Sequence, residues 1–199
     1  MVSAEQGAAG IVIGILALQG DFEMHRRAFS AIGIPAREVR IAEDLSGLSG
    51  LIIPGGESTT MTLLLEAGLR APILDFCRNH PVWGTCAGMI MLAKESRDPR
   101  VKPLGLMDIT VDRNGFGRQV HSFEADLRVA DEVGAAETPL HGVFIRAPRI
   151  ISFEKTVQPL IWLNDEPVAV RQGNYLASSF HPELTRDDRL QRYFAAMMR

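Results

Sequence analysis

Cys86 lies in the pentapeptide Gly84-Thr85-Cys86-Ala87-Gly88 and is one of two cysteines in 199 residues. The form G-x-C-x-G is the thiol counterpart of the G-x-S-x-G elbow, in which a nucleophile sits on a sharp, strained turn between a strand and a helix. Glycines two residues to either side keep Cβ atoms out of the crowded backbone. A helix N-terminus favours a thiolate. Such a turn also aims the Ala87 N–H at an oxygen on the carbon that sulfur attacks. A free cysteine equally often serves as a small buried apolar residue, and the pentapeptide alone leaves both roles open. Cys77 has only the second: in PILDFCRNH it follows Ile73 by four residues on one helical face, with no glycine frame.

SFHPEL, residues 179–184, contains what a nucleophilic cysteine needs. Pro182 biases His181 toward extended geometry, and in an extended segment side chains two residues apart point the same way. His181 and Glu183 can therefore meet. A carboxylate on one ring nitrogen selects the tautomer that leaves the other free to take a proton from a thiol, and it stabilises the imidazolium that results. A histidine beside proline is also a common turn residue. His25, His80, His121 and His141 have no comparable partner in sequence, and their spacing suggests no metal site. PGGEST, residues 54–59, admits three uses. Consecutive glycines ahead of a helix can cradle phosphate, although the Lys of a P-loop is missing. A Gly55-Gly56 peptide can complete an oxyanion hole with Ala87. A tight turn with Ser58 or Thr59 capping the next helix is the plainest reading.

These segments need a scaffold that brings them together. IVIGILAL (11–18), GLIIPGG (50–56) and PVWGT (81–85) are continuous apolar runs of the kind buried on both faces of a parallel sheet, with PAREVRI as a more polar strand. DFEMHRRAFSAIG (21–33), stopped by Gly33, STTMTLLLEAGL, PILDFCRNH and AGMIMLAKES (87–96) read as the helices between them. The succession is a βαβ series, which predicts a parallel sheet with helices on both faces. From Leu106 onward MDITVDRN, QVHSFEADLRVA, HGVFIRAP, TVQPLIWL, EPVAVRQ and NYLASSF read as strands, with turns such as LNDEP and RQGN suggesting antiparallel hairpins. RDDRLQRYFAAMMR closes the chain as a helix with Leu190, Phe194 and Met197 on one face. In open parallel sheets ligands bind outside the carboxyl ends of strands, where PGGEST, GTCAG and SFHPEL all fall.

Composition narrows the class further. Apolar residues make up 46% and charged residues 23%, and 21 basic against 24 acidic side chains give a net charge of -3. That balance points away from nucleic acid and anionic membranes. The start of the chain carries Glu5 and no Lys or Arg before its apolar stretch, unlike a secretory signal. No apolar run reaches the roughly 20 residues that cross a bilayer. Residues 1–10 read as a loose tail and 11–199 as a single domain. Two cysteines without metal-like spacing suggest a reducing cytoplasm.

Taken together, PGGEST, GTCAG and HPE resemble the class I glutamine amidotransferases, and ALQGDFEMH, LIIPGGESTTM, WGTCAGMIMLAKE, DRNGFGRQVHSFEADL, GVFIRAP and SFHPELT resemble, in order and spacing, the glutaminase subunits of pyridoxal 5'-phosphate synthase. The resemblance runs from about Ile11 to the C-terminus. It implies a flavodoxin-like α/β fold and a triad of Cys86 as nucleophile, His181 as base and acid, and Glu183 as its orienter. It implies that Gly56, Glu57, Ser58, Arg113, Ile145 and Arg146 hold L-glutamine, with Gly55, Gly56 and Ala87 forming the oxyanion hole and no cofactor or metal. The implied partner is a (β/α)₈-barrel synthase that receives the ammonia. His121 departs from the family pattern, where an acidic residue is frequent.

Other readings remain at this point. One is a glutaminase serving a synthase of imidazole or purine precursors. A second is a non-catalytic flavodoxin-like module that binds flavin or phosphate at PGGEST, with Cys86 as a redox sensor. A third is a structural subunit with a vestigial triad, against which the intact Cys, His and Glu argue.

Overall fold

The computed structural model describes residues 10–113, 115 and 122–198. Residues 1–9 of the expected tail, and His121 with most of the RNGFGRQ stretch, lie outside the described residues. In chain order the strands and helices are β1 (Ile13–Leu16), α1 (Phe22–Ala31), β2 (Ala36–Val39), β3 (Gly50–Ile53), α2 (Ser58–Leu64), α3 (Arg70–Cys77), β4 (Val82–Thr85), α4 (Ala87–Leu92) and β5 (Ala93–Ser96). Then follow β6 (Met107–Asp112), β7 (Ser122–Val129), β8 (Leu140–Ile145), β9 (Arg149–Phe153), β10 (Gln158–Leu163), β11 (Glu166–Gln172), β12 (Tyr175–Ser178) and α5 (Arg189–Ala196).

Among the described residues, nine strands join in the order β2-β1-β3-β4-β12-β11-β10-β7-β8. The first five pair in parallel and reproduce the flavodoxin-type order 2-1-3-4-5, with β12 as the fifth. The remainder are antiparallel. LNDEP and RQGN do make tight hairpins: Asn164 and Gly173, the first residue of each loop, have φ of 54° and 57°. A separate three-stranded sheet runs β5-β6-β9.

The apolar runs are buried on both faces, as a parallel sheet requires. Leu51 and Ile53 of β3 face a core shared with Met61, Ile73 and Met89, while Ile52 faces one shared with Phe29, Leu190 and Phe194. Helices α2, α3 and α4 thus cover one side and α1 and α5 the other. Gly33 stops α1 as expected, with φ of 74° and the Ile34 N–H returning to Phe29 O at 3.0 Å.

Two elements differ from the sequence reading. AGMIMLAKES is helical only to Leu92, and Ala93–Ser96 is strand β5. Its residues favour a helix, but the N–H groups of Leu104, Gly105 and Leu106 take the carbonyls of Met91, Ala93 and Leu92, and β6 pairs alongside. Tertiary pairing overrides a weak local preference. The sequence reading also assigns no strand to 149–153, where β9 pairs antiparallel with β6. Its half-exposed side chains show no clean alternation to reveal it.

Candidate active site

The parallel order makes β3, β4 and β12 immediate neighbours. Their carboxyl ends therefore present PGGEST, GTCAG and SFHPEL side by side, although 95 residues separate Cys86 from His181 in the chain.

Cys86 links β4 to α4 with φ of 50° and ψ of −108°, the strained backbone of a nucleophile elbow. Its N–H is anchored on Ser178 O of β12 at 2.8 Å, and its carbonyl accepts from Met89 N–H at 3.0 Å. Both flanking glycines are required by space. A Cβ on Gly84 would stand 2.4 Å from Gly88 O, and one on Gly88 would stand 1.8 Å from Ile53 O. Sγ lies 3.7 Å from Ile145 O, and Cys86 and His181 line one cleft, the His181 ring and Cys86 Cβ both lying against Gly55.

His181 leads into a 3₁₀ turn, Pro182–Leu184, and its own N–H donates to Val143 O at 2.8 Å, which folds the end of β8 over the carboxyl end of β12. Its Nδ1 is 2.7 Å from Glu183 Oε1. Burial by itself would lower the imidazole pKa, but the Cys86 sulfur and the Glu183 carboxylate outweigh it and push it up to about 10. Glu183 is buried, and burial opposes its ionisation. The neighbouring His25 and His181 nevertheless hold it below the usual carboxylate range. Cys86, His181 and Glu183 are thus brought together, with a hydrogen bond joining His181 to Glu183.

Here one expectation needs correction. His25, read in sequence as lacking a partner, is fully buried behind Glu183, with Nε2 3.4 Å from Glu183 Oε2 and 3.0 Å from Thr85 Oγ1. No spacing rule connects positions 25, 85 and 183; only the adjacency of α1 to the 3₁₀ turn does.

In front of the triad is a cleft of about 150 Å³. Cys86, Ala87, His181, Gly56, Glu57, Ser58, Arg113, Ile145 and Arg146 line it, joined by Asp21 and Ile90, which the sequence reading did not single out. Gly55 packs behind His181: a Cβ there would stand 2.6 Å from the ring Cε1 and 3.4 Å from Cys86 Cβ. Gly56 has φ of 146°, and a Cβ on it would collide with the Gln19 amide. That amide clamps the next residue, accepting from Glu57 N–H at 2.9 Å and donating to Glu57 O at 3.3 Å. Gln19 is another contributor that sequence reasoning missed, although it stands in the ALQGDFEMH stretch.

Glu57, and not Ser58 or Thr59 as the sequence suggests, caps α2, accepting from Thr60 N–H at 2.7 Å and from the Thr59 and Thr60 hydroxyls, and it pairs with Arg113. Partial burial raises its pKa, but these donors and the guanidinium together bring it down to about 2. Arg113 also holds Asp98 at 3.2 Å. Ser58 Oγ is buried and has no hydrogen-bond partner among the described residues. Arg146, at a φ of 44°, makes no ion pair among them. Among the described residues no group of three or more His, Cys, Asp or Glu side chains is arranged to hold a metal ion, and no helix is long and apolar enough to cross a membrane.

Comparison with known proteins gives this chain its relatives. The PdxT subunit of pyridoxal 5'-phosphate synthase from Dehalococcoides mccartyi (strain CBDB1) is 55% identical over 190 residues, covering 93% of this chain and 96% of its own. The PdxT subunit from Thermus thermophilus is 52% identical over 187 residues, 92% of this chain and 95% of its own. A crystal structure of a glutamine amidotransferase superposes with a TM-score of 0.87 at 48% identity, covering 94% of this chain and 98% of that one. PurLQS from Thermotoga maritima, at 13% identity and a TM-score of 0.72 over 96% of this chain and 100% of that one, shares the fold. A family model matches residues 15–199, so a flavodoxin-like sheet carrying this elbow and this His-Pro-Glu turn has a settled place: the chain belongs to the SNO glutamine amidotransferase family.

Proposed function

We propose that the chain is the glutaminase subunit of a pyridoxal 5'-phosphate synthase: it hydrolyses L-glutamine to L-glutamate and ammonia through a γ-glutamyl thioester on Cys86 and passes the ammonia to a synthase subunit. The observation that carries this reading is the gathering of Cys86, His181 and Glu183 at the ends of adjacent parallel strands, with Cys86 and His181 lining one cleft and His181 Nδ1 2.7 Å from Glu183 Oε1.

In this mechanism the Cys86 sulfur attacks the side-chain amide carbon of glutamine and forms a C–S bond. The carbonyl electrons move to oxygen. His181 holds the proton between sulfur and leaving group, and delivers it to the amide nitrogen as the C–N bond breaks and ammonia leaves. The thioester remains. Water then attacks it, His181 takes the water's proton, and the C–S bond breaks to free glutamate. Glu183 keeps the imidazole oriented and balances its charge.

Each tetrahedral species carries an oxyanion. The N–H of Ala87, first residue of α4 and so without an intrahelical acceptor, is one donor. A peptide N–H of Gly55-Gly56 is the other, and losing one such donor typically costs about 100- to 1000-fold in rate. The free amino acid is held at its α-carbon end. Arg146, which has no ion-pair partner among the described residues, offers its guanidinium to the α-carboxylate. Glu57, set by Arg113, offers a carboxylate to the α-ammonium, and Ser58 and Ile145 complete the grip.

The synthase partner is a (β/α)₈ barrel in this reading, and the pair works in the cytoplasm, where Cys77 and Cys86 stay unpaired. The test is glutamate release by the full chain with its cognate synthase. Cys86→Ala is expected to abolish it and to leave binding to the synthase intact; turnover retained in that variant removes Cys86 from the mechanism.

A further inference from the structure

The triad ends, in its usual description, at Glu183. In this protein the carboxylate has a second neighbour. Oε1 meets His181 Nδ1 at 2.7 Å, while Oε2 makes no hydrogen bond of good geometry and faces His25 Nε2 at 3.4 Å. Both side chains are wholly screened from solvent. A buried carboxylate oxygen left without a donor is costly, so the His25 N–H that faces it matters.

The His25 ring is oriented for that task. Nε2 also lies 3.0 Å from Thr85 Oγ1, the residue immediately before the nucleophile. Nδ1 has no hydrogen-bond partner among the described residues, which suits a bare nitrogen and puts the ring proton on Nε2. The Trp83 indole packs edge-on at 6.2 Å between centroids and fixes the ring plane. The charged and titratable groups that act on His25 are Glu183, His181 and Asp21. Burial lowers the His25 pKa, so the ring is neutral at physiological pH.

We propose that His25 is a positioning residue of the glutaminase site: its Nε2–H, shared between Thr85 Oγ1 and Glu183 Oε2, holds the rear oxygen of the carboxylate so that the front oxygen stays on His181. The inference rests on the triad reading above and extends it by one residue, into α1 on the opposite side of Glu183. Because the donor is neutral, it orients the carboxylate without neutralising it, and the full negative charge remains available to the imidazolium. Thr85 ties the same hydrogen bond to the strand that carries the elbow, so Cys86 and Glu183 are registered through one ring as well as through His181.

The test uses the full chain with its cognate synthase. His25→Phe fills the space without an N–H. It is expected to lower kcat by about 10- to 100-fold, the loss typical when the outer partner that orients a metal-bound histidine is removed, with KM for glutamine little changed. The acid limb of its kcat profile moves to higher pH, because Glu183 loses a donor that favours its ionised form. His25→Gln, whose amide N–H falls where Nε2 stood, recovers most of kcat and the original limb, whereas His25→Asn, which mimics Nδ1, does not. A packing role predicts the reverse ranking. Wild-type kcat and pH profile in His25→Phe overturn the proposal. Should the variants fail to fold, nitrogen NMR of the unsubstituted protein with labelled histidine decides: a protonated Nε2 and bare Nδ1 support it, and a proton on Nδ1 with a bare Nε2 overturns it. Cys86→Ala measured alongside keeps the two readings apart. Turnover there sinks the triad itself, while an inert Cys86→Ala beside an unaffected His25→Phe sinks only the role of His25.

Discussion

A buried imidazole between a carboxylate and a sulfur binds its proton more tightly than it does in an unfolded chain. His181 keeps its proton up to about pH 10 when folded, against an ordinary value of 6.5. Between those limits the folded state binds more protons, so this contribution is complete below about pH 6.5 and fades as pH rises toward 10. Denaturant unfolding across that interval is expected to show falling stability, and His181→Gln should flatten the slope below pH 9. The same slope in both proteins would assign the effect elsewhere. Burial pushes the Cys77 thiol up from 9.0 to about 12, so it adds a loss of the same sign only above pH 9. The difference in setting between the two cysteines was legible in the sequence, since only Cys86 has a glycine frame. The value of His25, by contrast, was hidden, because its partners Thr85 and Glu183 lie 60 and 158 residues away.

The elbow is the element on which the site turns, and its tolerance is set by backbone rather than by side chains. The carbonyl of Ile53, inside β3, lies where a Cβ on Gly88 would go. Carbonyl and strand cannot yield without disturbing the core on both faces. Gly88→Ala is therefore expected to destabilise the fold by about 1–3 kcal/mol, the usual range for overpacking, and to depress glutaminase activity by displacing Cys86. An unfolding midpoint equal to that of the wild type would show the contact to be soft. The early α/β elements were readable because each is a long apolar or amphipathic run. Strand β5 was not, because Ala, Lys and Glu favour helix locally and only the pairing with β6 draws them into a strand. Strand β9 escaped for the opposite reason: at a sheet edge its exposed residues carry almost no pattern.

At the level of the whole molecule the cleft opens to the surface, and Gly56 in its lining follows Gly55, a pairing whose peptide glycine leaves free to take more than one orientation. Ammonia released into water becomes ammonium and loses its nucleophilic lone pair. A subunit built this way is expected to have low glutaminase activity alone and a clear rise when its synthase is added; equal rates with and without the synthase would argue against a switched oxyanion hole. The amino-acid sequence by itself determined the chemistry on offer here: a framed thiol, an imidazole two residues from a carboxylate, a diglycine before a helix, and the alternation of strands and helices, all of which are local patterns within a few residues. Tertiary structure alone decided that β12, formed near the end of the chain, pairs with β4. That insertion carries His181 to Cys86 and lets α1 place His25 behind Glu183. The reason is physical: hydrogen-bonding partners of strands are chosen by packing of both sheet faces, a property of the assembled core that no short stretch of sequence contains.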